Sequence, residues 1–461
     1  MLIARKREIK YDKRRSFCVI ETVNRYILGT AVPFLLIKGG IFFCFKLRFF
    51  FNLHPKKLFG TLTERRAGEE RGTSPFRALT LALAGTLGVG NIVGVSAAIF
   101  MGGFGAVFWM WVSALCAMVL KYAEIVLAMK HRKYDADGKP HGSAMYYIRA
   151  CFEKRGARTV GMILAAVFAI FCILNSITMG SVIQTNAVTG ALEGVFNLPP
   201  LITGGALALI AFFLVRRGGE GMARFTEKLV PIMTVGYVVL SAAVLILRAD
   251  AIPTAFAQIF KDAFSFRAQG AGIGGFFLSK ALRFGTMRGL VSNEAGCGTA
   301  PAAHAVSDCK DPARQGVFGI FEVFVDTILL CTLTALVVIV SYGEISHFGE
   351  NFIMMTIGAY EAVLGSFASY FMSIAVLCFG FATVICWAHY GIESVGYLTE
   401  RRAAKSIFIV IYCLSVFVGA FATSDIIWQS ADLAIGIMTV INVPVLFLSR
   451  EEIKEATSAC I

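Results

Sequence analysis

Long apolar runs separated by short polar ones set the pattern of this chain. Runs at about 26–50, 76–100, 104–130, 158–189, 199–215, 226–248, 262–290, 314–341, 366–398, 405–422 and 426–449 each approach or exceed the roughly 20 residues that carry a helix across a bilayer. The pattern therefore predicts eleven spans and an all-α polytopic membrane protein. Several runs are long, so tilt or interruption is expected. The first lacks a small-residue cleavage site and ends in a basic loop, which reads as a spanning helix and not a signal peptide. No long polar insertion separates the runs, which argues for a single integral domain over 21–450, with a basic tail at 1–20 and a cytoplasmic tail at 451–461.

One run contains its own interruption. "LGVGNIVGV", residues 87–95, packs three glycines and Asn91 into nine positions. Main-chain N–H and C=O groups freed from a helix cannot face lipid, so a break at this depth is tolerated only inside protein or beside a cavity. In transporters with discontinuous helices, half-helix N-termini aim positive charge at an anionic group and unwound carbonyls hold a cation. A packing seam of small residues also accommodates Gly90 and Gly94, but Gly85, Gly88, Thr86 and Asn91 fit it less well. A second glycine-rich stretch, "AQGAGIGGFF" at 268–277, opens the sixth span counted from 76–100. Setting aside the helix at 26–50, the two breaks fall in the first and sixth of ten spans. That is the pattern of a five-plus-five inverted repeat, with repeat one at about 76–248, repeat two at about 262–422 and a last helix at 426–449.

Composition and charge agree. The chain of 461 residues is 57% hydrophobic and 16% charged, with mean hydropathy +0.71 and net charge +13. If the loop at 51–77 is cytoplasmic, the loops and tail on that side hold twenty-five basic residues, against Arg248, Lys261 and Arg267 outside. This bias predicts a cytoplasmic C-terminus and an external N-terminus in a multi-pass plasma-membrane protein. It also makes anionic lipid, not nucleic acid, the partner of the positive charge. The basic start "MLIARKREIKYDKRR" disagrees. Either a short tail is tolerated or the true start lies nearer Glu21, and the second is favoured. The twelve cysteines are scattered without a C-x-x-C pair and read as core residues.

"GTLGVGNIVGVSAAI" (85–99), "GGFGAVFWMWVSALCA" (102–117), "RGLVSNEAGCGTAPAAHA" (288–305) and "RQGVFGIFEVFVDTILLCTLTAL" (314–336) resemble the alanine or glycine:cation symporters, the sodium:alanine symporter family of the amino acid-polyamine-organocation superfamily, over roughly residues 20–450. The resemblance implies a prokaryotic protein with a leucine-transporter-like 5+5 inverted repeat, discontinuous helices and one extra N-terminal helix. It also implies Na+-coupled uptake of a small neutral amino acid such as alanine or glycine, with H+ as the alternative coupling ion and no other cofactor. Matched residue by residue, it places substrate at Gly88, Gly90, Asn91, Gln184, Ile273, Phe277, Thr383 and Trp387. Sodium falls at Ala84, Leu87, Phe379 and Thr383. An amide donor such as Asn91 with free N–H groups suits a carboxylate without fixed charge; the alternative for Gln184 and Asn186 is interhelical hydrogen bonding. Thr383 and Trp387 lie one turn apart on a helix face. Departures from the family pattern include Ile273 and Phe277, which exchange an aromatic and an aliphatic position, Cys116 and Cys386 at positions usually glycine, and Ala388, His389 and Ile392 after the tryptophan.

Charges inside spans are functional candidates by default. Lys121 and Glu124 are three apart and can pair; Arg283, Arg288 and Glu294 are read toward the cytoplasmic end as gate and packing groups. Glu322 and Asp326 share a span, where Asp326 is deep enough to support a cation site. His389 reads as a satisfied interior histidine, with a proton site as its alternative. Ser292, Asn293, Glu294 and His304 form no catalytic arrangement, and no Walker or G-x-S-x-G motif occurs, so neither an enzyme nor an ATP-driven pump is expected. One inward cation gains about 2.3 kcal/mol per 100 mV and about 1.4 kcal/mol from a tenfold gradient. Together these support roughly 500-fold accumulation of a zwitterion by alternating access. A sensor would be expected to carry a soluble signalling domain, and a channel would give flux without sodium-dependent accumulation.

Overall fold

In the computed structural model, residues 22–24, 26–48, 73–135, 138–265, 280–422 and 425–458 are described. They are almost wholly helical, with one ribbon of two short strands, β1 (Lys133–Tyr134) and β2 (Pro140–His141). The helices are α1 (Thr22–Lys46), α2 (Pro75–Thr86), α3 (Val93–Gly102), α4 (Gly105–His131), α5 (Ala144–Glu153), α6 (Arg158–Phe196), α7 (Pro200–Val215), α8 (Gly218–Leu247) and α9 (Ile252–Ala263). They continue with α10 (Lys280–Asn293), α11 (Ala300–His304), α12 (Pro312–Val340), α13 (Phe352–Leu364), α14 (Ser366–Leu398), α15 (Arg402–Gly419), α16 (Asp425–Leu448) and α17 (Arg450–Ser458).

Among the described residues, eight helices are long and apolar enough to cross a membrane, and α3, α7 and α13 are shorter apolar ones. Every predicted span except 262–290 coincides with a helix or an interrupted pair. That run divides between the end of α9, residues 266–279, which lie outside the described residues, and α10. Local signals fix the starts. Ser74 accepts from Arg77 N (3.2 Å) ahead of Pro75, and Asp311 accepts from Ala313 N (3.0 Å) and Arg314 N (3.1 Å) ahead of Pro312, as N-caps do.

The helices sort by burial. The most apolar windows of α4 and α14 are 89% and 78% buried, whereas that of α15 is only 28% buried, so the first two form the inner layer. Outer helices present Ile232, Val239, Ile411 and Leu414 to the surroundings, as hydrocarbon requires and water would penalise.

The predicted loop "VRRGGEGMARFTEK" is helical from Gly218, so α8 starts well before position 226. The tail is also structured. Ile453 and Thr457 of α17 are buried, and Glu452 meets Lys130 (3.2 Å), His131 (2.8 Å) and Lys154 (2.7 Å). Burial pushes the Glu452 carboxyl up, but these cationic neighbours win and hold it well below the usual carboxylate range. The tail docks because its one apolar face finds the end of α4.

Candidate functional site

The first glycine-rich stretch is broken as expected. α2 ends at Thr86, Gly88 is extended, and a single tight turn at Val89–Asn91 leads into α3. A Cβ on Gly88 would lie 2.6 Å from Thr383 Oγ1 and 3.0 Å from Gln184 Oε1, so glycine is what lets α6 and α14 close on the break. Val89 N donates to Gln184 Oε1 (3.0 Å), and Gln184 Nε2 donates to Met179 O (3.2 Å). The amide of Gln184 thus satisfies a main-chain donor that unwinding released.

On the other side, Thr383 Oγ1 lies 2.9 Å from Ala84 O and 3.1 Å from Phe379 O. Three oxygens therefore converge beside Leu87 and Gly88. Neutral carbonyl and hydroxyl oxygens beside an unwound segment are the donor set that holds Na+ in discontinuous-helix transporters. All four residues matched to sodium, Ala84, Leu87, Phe379 and Thr383, meet here and are buried.

Asn91 is placed differently from the expectation. Its Nδ2 donates to Asp326 Oδ1 (2.6 Å) and is 3.2 Å from Asp326 O, while its buried Oδ1 has no partner among the described residues. Asp326 also accepts at Oδ2 from Ser292 Oγ (2.9 Å) and Thr327 Oγ1 (2.6 Å). The amide donor is spent on a carboxylate, and the edge of the amide left without a partner among the described residues is an acceptor.

A cleft opens from the break between α3, α6, α10 and α16. Val89, Gly90, Gly94, Met179, Ile183 and Gln184 line it, with Arg288, Val291, Trp428 and Asp432 opposite. The Arg288 guanidinium lies 5.8 Å from the Trp428 ring.

A second interruption follows α10. Residues 294–299 are non-helical, with Glu294, Gly296 and Gly298 at φ +53°, +86° and +79°. The predicted break at 268–277, and with it Ile273 and Phe277, lies outside the described residues. The break at 294–299 falls beyond the predicted end of that span at 290.

The two interrupted segments run antiparallel. Gly102 approaches Lys280 and Phe284, Gly90 approaches Ser292, and Thr73 O accepts from Asp308 N (2.9 Å). Arg283 and Arg288 therefore sit nearer the Gly102 end than the Thr73–Asp308 end, the one expected to face the cytoplasm. The direction of the crossing is as predicted, but the chain leaves it near Asp308, beside Thr73, and not at 290.

Trp387 is one turn beyond Thr383, fully buried against Gly180, where an added Cβ would lie 2.3 Å from Trp387 Cβ. Its Nε1 donates to Glu294 Oε1 (3.0 Å), tying α14 to the second break. Asn186 is half-buried. His389 meets Ala302 O at 3.1 Å, the satisfied interior histidine.

Two ion-pair expectations change. Lys121 reaches across to Glu322 (3.0 Å) instead of Glu124, because Glu124 is taken by Gly298 N (3.0 Å) and Asn442 Nδ2 (2.5 Å). Glu322 and Asp326 share a helix but serve separate groups. Sequence reasoning also missed Ser292 and Asp432. The alternating glycines in "NEAGCG" were the available signal for the second break, since positive φ favours glycine.

An interrupted pair of antiparallel helices with hard oxygens at the crossing defines an α-helical membrane transporter with a leucine-transporter-like fold. The same fold occurs in a Na+-coupled sialic acid symporter, at TM-score 0.56 and 14% identity, covering 92% of this chain and 87% of that one. The profile of the sodium:alanine symporter family matches residues 15–459, and this chain belongs to that family. The sodium/alanine symporter AgcS of Methanococcus maripaludis is 33% identical over 96% of each chain. The probable sodium/glutamine symporter GlnT of Bacillus subtilis is 31% identical over 93% of this chain and 87% of its own. The protein is thus a cation-coupled amino-acid symporter of a prokaryotic membrane and not an enzyme.

Proposed function

We propose that the protein couples inward movement of Na+ to uptake of a small neutral amino acid, alanine or glycine, by alternating access. The observation that carries this reading is the neutral oxygen cluster of Ala84 O, Phe379 O and Thr383 Oγ1 at the Gly88 break, with separations of 2.9 and 3.1 Å. Sodium bound there would draw α14 onto the break and so pre-form the amino-acid site. The N–H groups in the first turn of α3 lack intrahelical acceptors and carry the positive end of the helix dipole, which suits the substrate carboxylate. Asn91 Oδ1 is an acceptor suited to the substrate ammonium, a role opposite to that expected of its amide. Gly88 and Gly90 leave the main chain bare, while Val89, Met179, Ile183 and Val291 narrow the cleft, which favours a short side chain. The basic loops then face the cytoplasm together with α17, and the N-terminus lies outside.

Uptake of labelled alanine and glycine into proteoliposomes, with and without an imposed inward Na+ gradient, tests the proposal. Accumulation above equilibrium only with the gradient is expected. Equal uptake in both conditions would sink the coupling.

A further inference from the structure

Away from the neutral site, α4, α11, α12 and the 294–299 crossing enclose a cluster with more carboxylates than cations. Glu124, Glu294, Glu322 and Lys121 are all fully buried. Lys121 is paired with Glu322 Oε1, and Glu322 Oε2 is 3.0 Å from His304 Nε2. Gln315 Nε2 is 2.9 Å from His304 Nδ1, so both ring nitrogens of His304 have side-chain neighbours. Glu294 takes a donor on each oxygen, from Trp387 Nε1 and from Thr299 Oγ1 (2.7 Å).

Glu124 differs. Both of its donors, Gly298 N and Asn442 Nδ2, reach Oε1, and Oε2 is buried with no partner among the described residues. The groups facing it are Lys121 on its own helix, Glu322 from α12, Glu294 and Cys297 from the crossing, and Tyr147 from α5. From α16 comes Asn442, whose Oδ1 accepts from Tyr147 Oη (2.6 Å); His304 of α11 stands behind Glu322. The cluster's one lysine already serves Glu322. An anionic oxygen with neither donor nor cation of its own is far costlier to bury than a neutral carboxyl.

We propose that Glu124 is a proton-binding site. It holds a proton on Oε2 while Gly298 of the crossing is docked on Oε1, and returns it to water when that segment moves away. The proton comes from water and goes back to water, and no other bond changes. Movement of the second break is thereby linked to a proton as well as to the sodium ion and substrate at the first. Only the transport arm of the test rests on the symport reading.

Infrared spectroscopy of the full-length protein in lipid at pH 7 should show the carbonyl stretch of a protonated carboxylic acid. That band should vanish in Glu124→Gln and persist in Glu322→Gln. A wild-type spectrum without the band, or an identical band in Glu124→Gln, overturns the proposal whether or not alanine is transported. If Glu124→Gln does not fold, Glu124→Asp replaces it, and there the band must shift in frequency. In proteoliposomes, Na+-driven alanine uptake by the wild type should fall about tenfold per pH unit once the site is mostly ionised. The glutamine variant should be flat over the same range; an undiminished pH dependence in that variant overturns the link.

Discussion

The two breaks lie close together, with Gly90 of the first approaching Ser292 just before the second, but are held by different chemistry. The 87–92 break is satisfied by neutral groups, the Gln184 amide, the Thr383 hydroxyl and main-chain carbonyls. The 294–299 break is anchored by carboxylates, with Glu124 accepting from Gly298 N and Glu294 held by Trp387 and Thr299. Neutral oxygens leave room for a cation to arrive and depart, because no fixed charge makes its binding irreversible. Side-chain carboxyl groups docked on buried N–H groups leave a large penalty if the bond is broken, and so are better suited to clamping a segment than to exchanging a ligand.

The largest expected contrast comes from glycine replacements in the two breaks. Gly88→Ala puts a methyl 2.6 Å from Thr383 Oγ1, so Na+-driven uptake should fall to background while the purified protein keeps its melting temperature within a few degrees. Retained uptake would show that Gly88 does not meet Thr383 in the working protein.

Thr383→Val keeps the shape and removes the hydroxyl. A hydrogen bond to a charged group is worth about 1.5–3 kcal/mol, and a cation ligand of that strength lowers sodium affinity by roughly tenfold to a hundredfold. The Na+ concentration for half-maximal uptake reports it, and an unchanged value would remove Thr383 from the ion site.

Gly298→Ala should show the opposite profile to Gly88→Ala. Gly298 has φ +79° and its added Cβ would lie 2.9 Å from Ala144 Cβ and Phe168 Cζ. The left-handed conformation alone costs about 1–2 kcal/mol, so thermal stability should drop, with a smaller change in half-maximal sodium than Thr383→Val gives. A shifted sodium dependence without lost stability would erase the distinction between the breaks.

The smallest effect lies outside the membrane. His141 is 3.0 Å from Glu393 Oε2 and 3.3 Å from Asp135 Oδ2. The Glu393 hydrogen bond chiefly, with Asp135, raises its pKa from the ordinary 6.5 to about 8. The charged ring is the paired form, so its stabilisation is complete below about pH 6.5 and is lost as pH rises through about 8. This pair is partly exposed and should contribute under about 1 kcal/mol. Melting temperatures of wild type and His141→Ala should therefore differ at pH 6 and converge at pH 9; a constant difference would assign the histidine a packing role only.

Much of the architecture was written in the chain. Apolar runs alone located the long spanning helices, because a segment of about 20 such residues favours the bilayer, but they missed the shorter apolar helix α13. The glycines of 85–94 announced the first break, since free main chain at that depth needs a protein-lined site. The family motifs placed Gln184 and Thr383 together, and the structure brings both to Gly88. Partners across helices were not legible. Lys121 and Glu124 have the spacing to pair, yet Lys121 goes to Glu322, 201 residues on, and Glu124 to the 294–299 crossing. The amide of Asn91 looked like a free donor until Asp326, 235 residues on, took it.

Hydrophobicity and glycine placement are local properties, so the sequence by itself determined the membrane class, the long spanning helices and the first interruption. Which oxygen satisfies which freed N–H, which amide edge remains open, and which carboxylate is left over in the interior depend on residues far apart in the chain. Only the packing of helices against each other, where every buried polar group competes for a partner, decided them.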